Sequence, residues 1–389
     1  MDAESKRLYY IDWLRVLAFG LLFLFHTTRF FDSYPWHIKN AQSSMLVNYF
    51  VEFTHSWRMQ IVFLVSGVGT YFAWRSRKSG FLKDRVFRLV IPFIFSVIIL
   101  IPPQKYLEAI SQFTYSGSMW SFLKMYPATL FNSNMGWSLA WTGHLGYHAW
   151  YLAYLFIQTI LLLPLLRILK NSARIKSAFN KLTSTLLGLW SLIVPFIVLE
   201  FTLRPPYPGY LDWADFAIYS LFFLYGYMFQ LSDTVISIIE KYAYTFLLIG
   251  VICWSAYLLN REVLDQMSMP EYSSNYMLMI VLKNINSFSW VMAFLALAKK
   301  FLNFRHRLLN DLNQGILPFY ILHQTVIVIF GYFVVQWELS ILEKFIIILT
   351  TSFVVTIGLY QIIWRNEILR FLFGMKRKEV TTDSKLITN

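Results

Sequence analysis

A chain of 389 residues with 57% hydrophobic, 19% aromatic and only 14% charged residues falls well short of the charge of a soluble domain, about 25%. With a mean hydropathy of +0.51, it reads as an all-α polytopic membrane protein. The net charge of +13 would suit a nucleic-acid partner, but its distribution excludes one, as follows.

Ten apolar segments near the 20 residues that a bilayer requires are predicted, at about 9–31, 52–74, 86–104, 147–167, 184–203, 213–231, 243–260, 276–298, 314–336 and 342–364. With the amino terminus inside, the basic clusters fall together on the cytoplasmic side: Arg75 with Arg77, Lys78, Lys83, Arg85 and Arg88, then 167–181, 299–307 and 365–378. The opposite side keeps scattered cations such as Arg29, Lys39, Lys105 and Arg204. This is the positive-inside pattern, so both termini are expected in the cytoplasm and the chain in the plasma (inner) membrane, crossing it many times. The basic excess is topology, and the lipid bilayer is the first partner. A single integral-membrane domain is expected over 1–374, with a polar cytoplasmic tail at 375–389 too rich in charge and too poor in apolar residues to fold. Cys253 is the one cysteine, which leaves no disulfide framework or thiolate cluster. The first span lacks a small-residue cleavage site and is expected to stay as an anchor. Inverted repeats, common in carriers, are not visible.

Taken in chain order, the spans contain polar residues that a bilayer tolerates poorly. The first, DWLRVLAFGLLFLFHTTRFF, holds Arg15 and His26, although a charge near the bilayer centre costs at least about 2.5 kcal/mol. Eleven residues separate them, which is about three turns plus 20° and about 16.5 Å of rise. One helix face therefore points a guanidinium toward one leaflet and an imidazole toward the other. The alternatives are a snorkelling arginine paired with Asp12 and a histidine satisfied within the bundle. At the outer start of the second span, Glu52, His55, Arg58 and Gln60 crowd two adjoining turns, a density that suggests a lined cavity more than interfacial snorkelling. Arg85 and Arg88 stand at i, i+3 before Pro92, where two guanidinium groups make a phosphate site or a plain positive-inside flank. An outer loop at about 105–146 is rich in Trp, Tyr, Ser and Gly, suiting an interfacial belt or stacking on sugar rings. His144 and His148 precede the fourth span, Lys283 sits in the eighth, and His323 lies within the ninth. His144 and His148 are at i, i+4 without an acidic partner, so no metal site is expected. Phosphate-loop, nucleophile-elbow and CxxC patterns are absent from the sequence.

This arrangement resembles the membrane acyltransferase family 3. The R-x10-H spacing of Arg15 and His26 looks like that family's signature in the first span, and Arg85-x-x-Arg88 before Pro92 is similar to its basic motif. IDWLR, the PWH of 35–37, HSWRMQIVFLVSG, HAWYL and NQGILPFYILHQ continue the likeness along nearly the whole chain, nearest to a subgroup that attaches succinyl groups to periplasmic glucans. Lys283 departs from that subgroup's pattern.

The resemblance implies transfer of an acetyl or succinyl group from cytoplasmic acyl-CoA, a donor substrate and not a resident cofactor, to a sugar hydroxyl of an extracytoplasmic or cell-envelope glycan. His26 is then the general base or a transient acyl carrier, and Arg15 orients the donor or stabilises the thioester oxyanion. Arg85 and Arg88 hold CoA phosphates, His55, Arg58 and His148 line the acceptor side, and His323 belongs to the same cavity. A secondary transporter or sugar flippase, which also keeps ionisable groups in the membrane, is the rival class.

Overall fold

The computed structural model describes residues 7–76, 80–130, 138–232, 234–260 and 270–376. Every regular element among them is helical. The helices run α1 (Tyr9–Thr28), α2 (Met45–His55), α3 (Arg58–Ser76), α4 (Phe81–Ser111), α5 (Met119–Thr129), α6 (Trp141–Asn171), α7 (Ala173–Thr183), α8 (Leu186–Leu203), α9 (Trp213–Phe229), α10 (Val235–Lys241), α11 (Ala243–Leu259), α12 (Ser274–Phe301), α13 (Leu309–Val334), α14 (Ile341–Arg365) and α15 (Glu367–Leu372). Seven described helices (α1, α4, α6, α8, α12, α13 and α14) are long and apolar enough to cross a membrane, and the pair α10–α11, bent by 62°, makes eight.

The other two of the ten expected spans are helices of a different kind. α3 has 19 residues, lowered in hydropathy by Arg58, Gln60, Ser66 and Thr70, and α9 has only 17. Both pack in the interior, mainly on each other, so their faces meet protein rather than lipid and need not be apolar throughout. Glycine makes that contact possible. A Cβ on Gly226 would stand 1.9 Å from the Leu64 carbonyl oxygen, and one on Gly67 would stand 1.9 Å from that of Phe223. This is the close backbone approach that small residues permit between membrane helices. The clash is with backbone, which no rotamer change relieves. Gly226→Ala is therefore expected to destabilise by about 1–3 kcal/mol or more, read as a lowered thermal midpoint of the purified protein in detergent; an unchanged midpoint would show that α3 and α9 do not pack this way.

Three boundaries differ from the sequence reading. The span expected at 52–74 is broken at Ser56–Trp57, where Ser56 Oγ donates to the Phe53 carbonyl at 2.8 Å and competes with the helix ladder. The span expected at 86–104 reaches from Phe81 to Ser111. It carries wide π turns at Val86–Val90 and Ser96–Leu100, next to Pro92 and the Pro102–Pro103 pair, where a missing N–H interrupts the α ladder. The outer loop expected at 105–146 is consequently shorter and holds α5, whose N-terminus Ser118 caps through Ser121 N–H. Residues 131–137 of that loop, residues 77–79 with the basic Arg77 and Lys78, and most of the expected tail, 377–389, lie outside the described residues.

Two cavities and a histidine cluster form the candidate active site

At the end of the bundle where α1 begins, a cavity of about 810 Å³ opens between α1, α3, α4, α6 and α13. Arg15, Arg85 and Arg88 line it together. Arg85 Nη2 donates to Thr70 Oγ1 at 2.9 Å, its guanidinium lies 4.9 Å from the Phe81 ring centre, and its buried Nε has no partner among the described residues. Arg15 Nη2 lies so near Gly69 that a Cβ there would approach to 3.0 Å. Two cations that sequence reasoning missed, Arg370 and Lys376, line the same cavity, as do Asn310, Asn313 and Gln314 at the start of α13.

The inner wall of the cavity is apolar and aromatic: Phe19, Tyr151, Leu152 and Leu155. Behind it stands Tyr320, edge-on to Phe19 at 5.4 Å and to Tyr151 at 5.7 Å. The Tyr320 hydroxyl donates to the His148 carbonyl, so this ring separates the arginine-lined cavity from a cluster of histidines.

That cluster gathers three of the sequence candidates. His26 and His323 have ring centroids 5.1 Å apart, and His323 and His148 are 5.5 Å apart. His148 and His323 are buried, at 4% and 1% exposure, whereas His26 is half-buried. Backbone carbonyls fix two tautomers. His148 Nε2–H donates to Ile321 O at 2.8 Å, and His323 Nδ1–H donates to Tyr320 O, leaving His323 Nε2 bare and without a partner among the described residues. His26 Nδ1 is likewise unpartnered. Among the described residues His26 is flanked by rings, with Trp36 stacked at 6.2 Å and Phe25 edge-on at 5.3 Å. A ring so held keeps Nδ1 available for proton transfer. The four-residue spacing of His144 and His148 does not place them together: His144 faces the Thr129 carbonyl at 3.0 Å.

A second group, unread in the sequence except as part of PWH, adjoins the cluster. Glu108 accepts from His37 Nδ1–H at 2.9 Å and from the Tyr147 hydroxyl at 2.7 Å, and the His37 ring stacks on Tyr147 at 4.6 Å. Gln324 Nε2 donates to His37 Nε2 at 3.1 Å and to Gln104 Oε1 at 3.2 Å, and Gln104 reaches Thr325 at 2.8 Å. Tyr147 holds φ of 47° near the start of α6, a strained value for a non-glycine residue, where its ring meets Glu108 and the next residue, His148, meets α13. Fully buried Asp32 anchors the loop that carries Trp36 and His37, accepting from Arg29 at 2.7 Å and Lys39 at 2.8 Å. Burial pushes the Lys39 ammonium below its ordinary value, opposed by its hydrogen bond and charge contact with Asp32.

The remaining candidates separate from one another. Arg58, 4% exposed, lies with its guanidinium carbon 3.3 Å from the Phe25 ring centre, beside His26. Its Nε and Nη1 lack partners among the described residues. His55 is exposed instead, on a second cavity of about 320 Å³ with Glu52, Gln60, Tyr210, Trp254 and Lys283. Lys283 is explained there: it pairs with buried Glu200 at 3.1 Å, which also holds Arg204 at 2.9 Å, and Arg204 reaches Asp215 at 2.6 Å. Arg15 and His26, although on one face of α1, do not meet; they stand on opposite sides of the aromatic wall, about 16.5 Å apart along the axis.

The arrangement offers a basic cavity, an apolar partition and imidazoles with free lone pairs, in that order along α1. The acyltransferase domain model of the acyltransferase-3 family matches residues 8–365. Glucans biosynthesis protein C of Escherichia coli strain K12 is 25% identical over 96% of this chain and 95% of its own length. The protein of that name from Escherichia coli O157:H7 matches at the same identity and coverage. No solved structure matches. The chain thus belongs to the acyltransferase-3 family and is a membrane acyltransferase.

Proposed function

We propose that this acyltransferase moves an acetyl or succinyl group from acyl-CoA, arriving at the arginine-lined end in the cytoplasm, to a sugar hydroxyl of an extracytoplasmic or cell-envelope glycan at the other end, in the plasma membrane. The observation that carries this reading is the continuity along α1: Arg15 in a cavity rich in cations, then Phe19 at the partition, then His26 beside His323. A polyanionic nucleotide suits the first, a pantetheine arm the second, and a hydroxyl acceptor the third. The relatives' name, glucans biosynthesis protein C, supports a glycan acceptor.

His26 acts as general base. It takes the proton of the acceptor hydroxyl, the oxygen attacks the thioester carbonyl, the carbon–sulfur bond breaks, and the CoA sulfur leaves with that proton. Arg58, a buried cation next to Phe25, is placed to offset charge on the carbonyl oxygen. His148 and His323 position the acceptor, and His55 lies on the outer approach. With Arg15 on the far side of the partition, donor orientation is the better supported of its two roles.

Mass spectrometry of envelope glycans from cells with and without the gene tests the reading. An acyl increment on a glycan, present only with the gene, is expected; identical glycan masses, with a sugar or anion accumulating on one side of the membrane instead, would overturn it in favour of transport.

A further inference from the structure

The family match ends at residue 365, yet the chain beyond it turns back over the arginine-lined cavity. Arg370, Gly374, Met375 and Lys376 all line that cavity. Asn366 caps α15 through Leu369 N–H at 3.0 Å. The next turn is then fastened to α4 by ring contacts, Phe371 with Phe87 at 5.3 Å and Phe373 with Phe95 at 5.1 Å. Gly374 adopts φ of 65°, and a Cβ there would meet Pro92 at 2.9 Å and the Arg88 carbonyl at 3.1 Å. The segment is therefore seated directly against the turn that carries Arg88.

Arg370 is 4% exposed. Its guanidinium lies 4.6 Å from the Trp364 ring centre and donates to the Trp364 carbonyl at 3.4 Å and to that of Lys376. Nε faces Glu367 Oε1 at 3.7 Å, an ion-pair contact too long for a hydrogen bond, and has no hydrogen-bond partner among the described residues. A buried guanidinium with an unused donor is costly unless something supplies an acceptor. The surroundings increase that cost. Arg15, Arg85, Arg88, Arg370 and Lys376 line one cavity, with Asp84 the only carboxylate among its described lining residues.

We propose that the segment 366–376 is the closing wall of the donor site, and that Arg370, assisted by Lys376, binds a phosphate of the donor's nucleotide end. This rests on the reading of the cavity as an acyl-CoA site and adds residues that lie outside the family's matched segment. A bidentate fork on a phosphate is the geometry a planar guanidinium favours, and the seat on Arg88 places the two cations on one ligand.

The test is CoA binding to the purified full chain in nanodiscs of neutral phosphatidylcholine, with CoA, pantetheine and anionic-lipid nanodiscs as the comparison arms. Arg370→Gln is expected to weaken CoA binding about tenfold or more and to leave pantetheine binding unchanged. Lys376→Gln, at an exposed residue whose loss does not threaten folding, is expected to weaken CoA binding in the same direction by a smaller factor, and Arg370→Lys to restore part of the loss. If wild-type protein ignores CoA, the donor reading itself fails. If Arg85→Gln weakens CoA binding while Arg370→Gln and Lys376→Gln do not, the donor reading stands and the closing wall is refuted. Equal loss of CoA and pantetheine in Arg370→Gln would assign Arg370 to folding, and a defect seen only with anionic lipid would assign it to a lipid headgroup; either result overturns the proposal.

Discussion

His26→Ala is expected to lower acyl transfer by about 10²- to 10⁴-fold, the range that a positioned general base contributes, with expression and membrane insertion unchanged. The site explains why the loss should fall on turnover. His26 Nδ1 has no hydrogen-bond partner among the described residues, and rings flank it on both sides, so alanine removes a proton acceptor without leaving a buried donor stranded. Arg15 is three turns away along α1, and the other cations proposed to grip CoA line the same cavity as Arg15, so half-saturation by acyl-CoA should be nearly unchanged. His26→Gln keeps polarity and hydrogen bonding but not the basic lone pair, and should be almost as inactive. The measurement is single-turnover transfer to glycan in reconstituted membranes, scored against the amount of protein inserted. Near-normal transfer by well-inserted His26→Ala would remove the base from His26 and shift attention to His323, whose Nε2 also lacks a partner among the described residues.

The elements of this site were unequally legible in the sequence, for physical reasons. Arg15 and His26 could be paired because both lie on one helix, where spacing alone fixes the face. Arg85 and Arg88 were legible for the same reason, and the structure places them with Arg15 in one cavity. His148 and His323 could be recognised as anomalies within apolar runs, but not brought together, since their contact depends on how α6 packs against α13. The Glu108–His37 pair spans 71 residues, and Lys283–Glu200 spans 83. Such pairs leave no periodic trace. Lys283, a departure from the family pattern in sequence, is ordinary once Glu200 and Arg204 stand beside it. The break at Ser56 was hidden because a serine in a helix signals nothing until its hydroxyl is seen on the Phe53 carbonyl. Arg370 and Lys376 looked like a positive-inside flank, and only the turn at Gly374 reveals that the chain doubles back.

Neutralising Arg85 should produce the opposite kinetic signature from His26→Ala. Arg85→Gln removes one charge-assisted contact to a phosphate, worth about 1.5–3 kcal/mol, and at 1.4 kcal/mol per tenfold this raises the acyl-CoA needed for half-saturation roughly 10- to 150-fold. The rate at saturating donor should change far less, because Arg85 stands beyond the aromatic wall of Phe19 and Tyr151. The side chain's present partners, the Thr70 hydroxyl and the Phe81 ring, are compatible with an uncharged amide, so the fold is expected to hold. Arg88→Gln should act in the same direction, and His148→Ala should alter the acceptor dependence while sparing that of the donor. Raising salt distinguishes a phosphate contact from a packing effect. Screening weakens attraction between the cavity's cations and the donor, so the half-saturation point should climb more steeply with salt for wild type than for Arg85→Gln, which has one fewer charge to screen. Acyl-CoA titration at two ionic strengths in reconstituted membranes decides the matter. If Arg85→Gln and Arg88→Gln both titrate like wild type, these arginines only set topology, and the anion the cavity was built for is not the acyl donor.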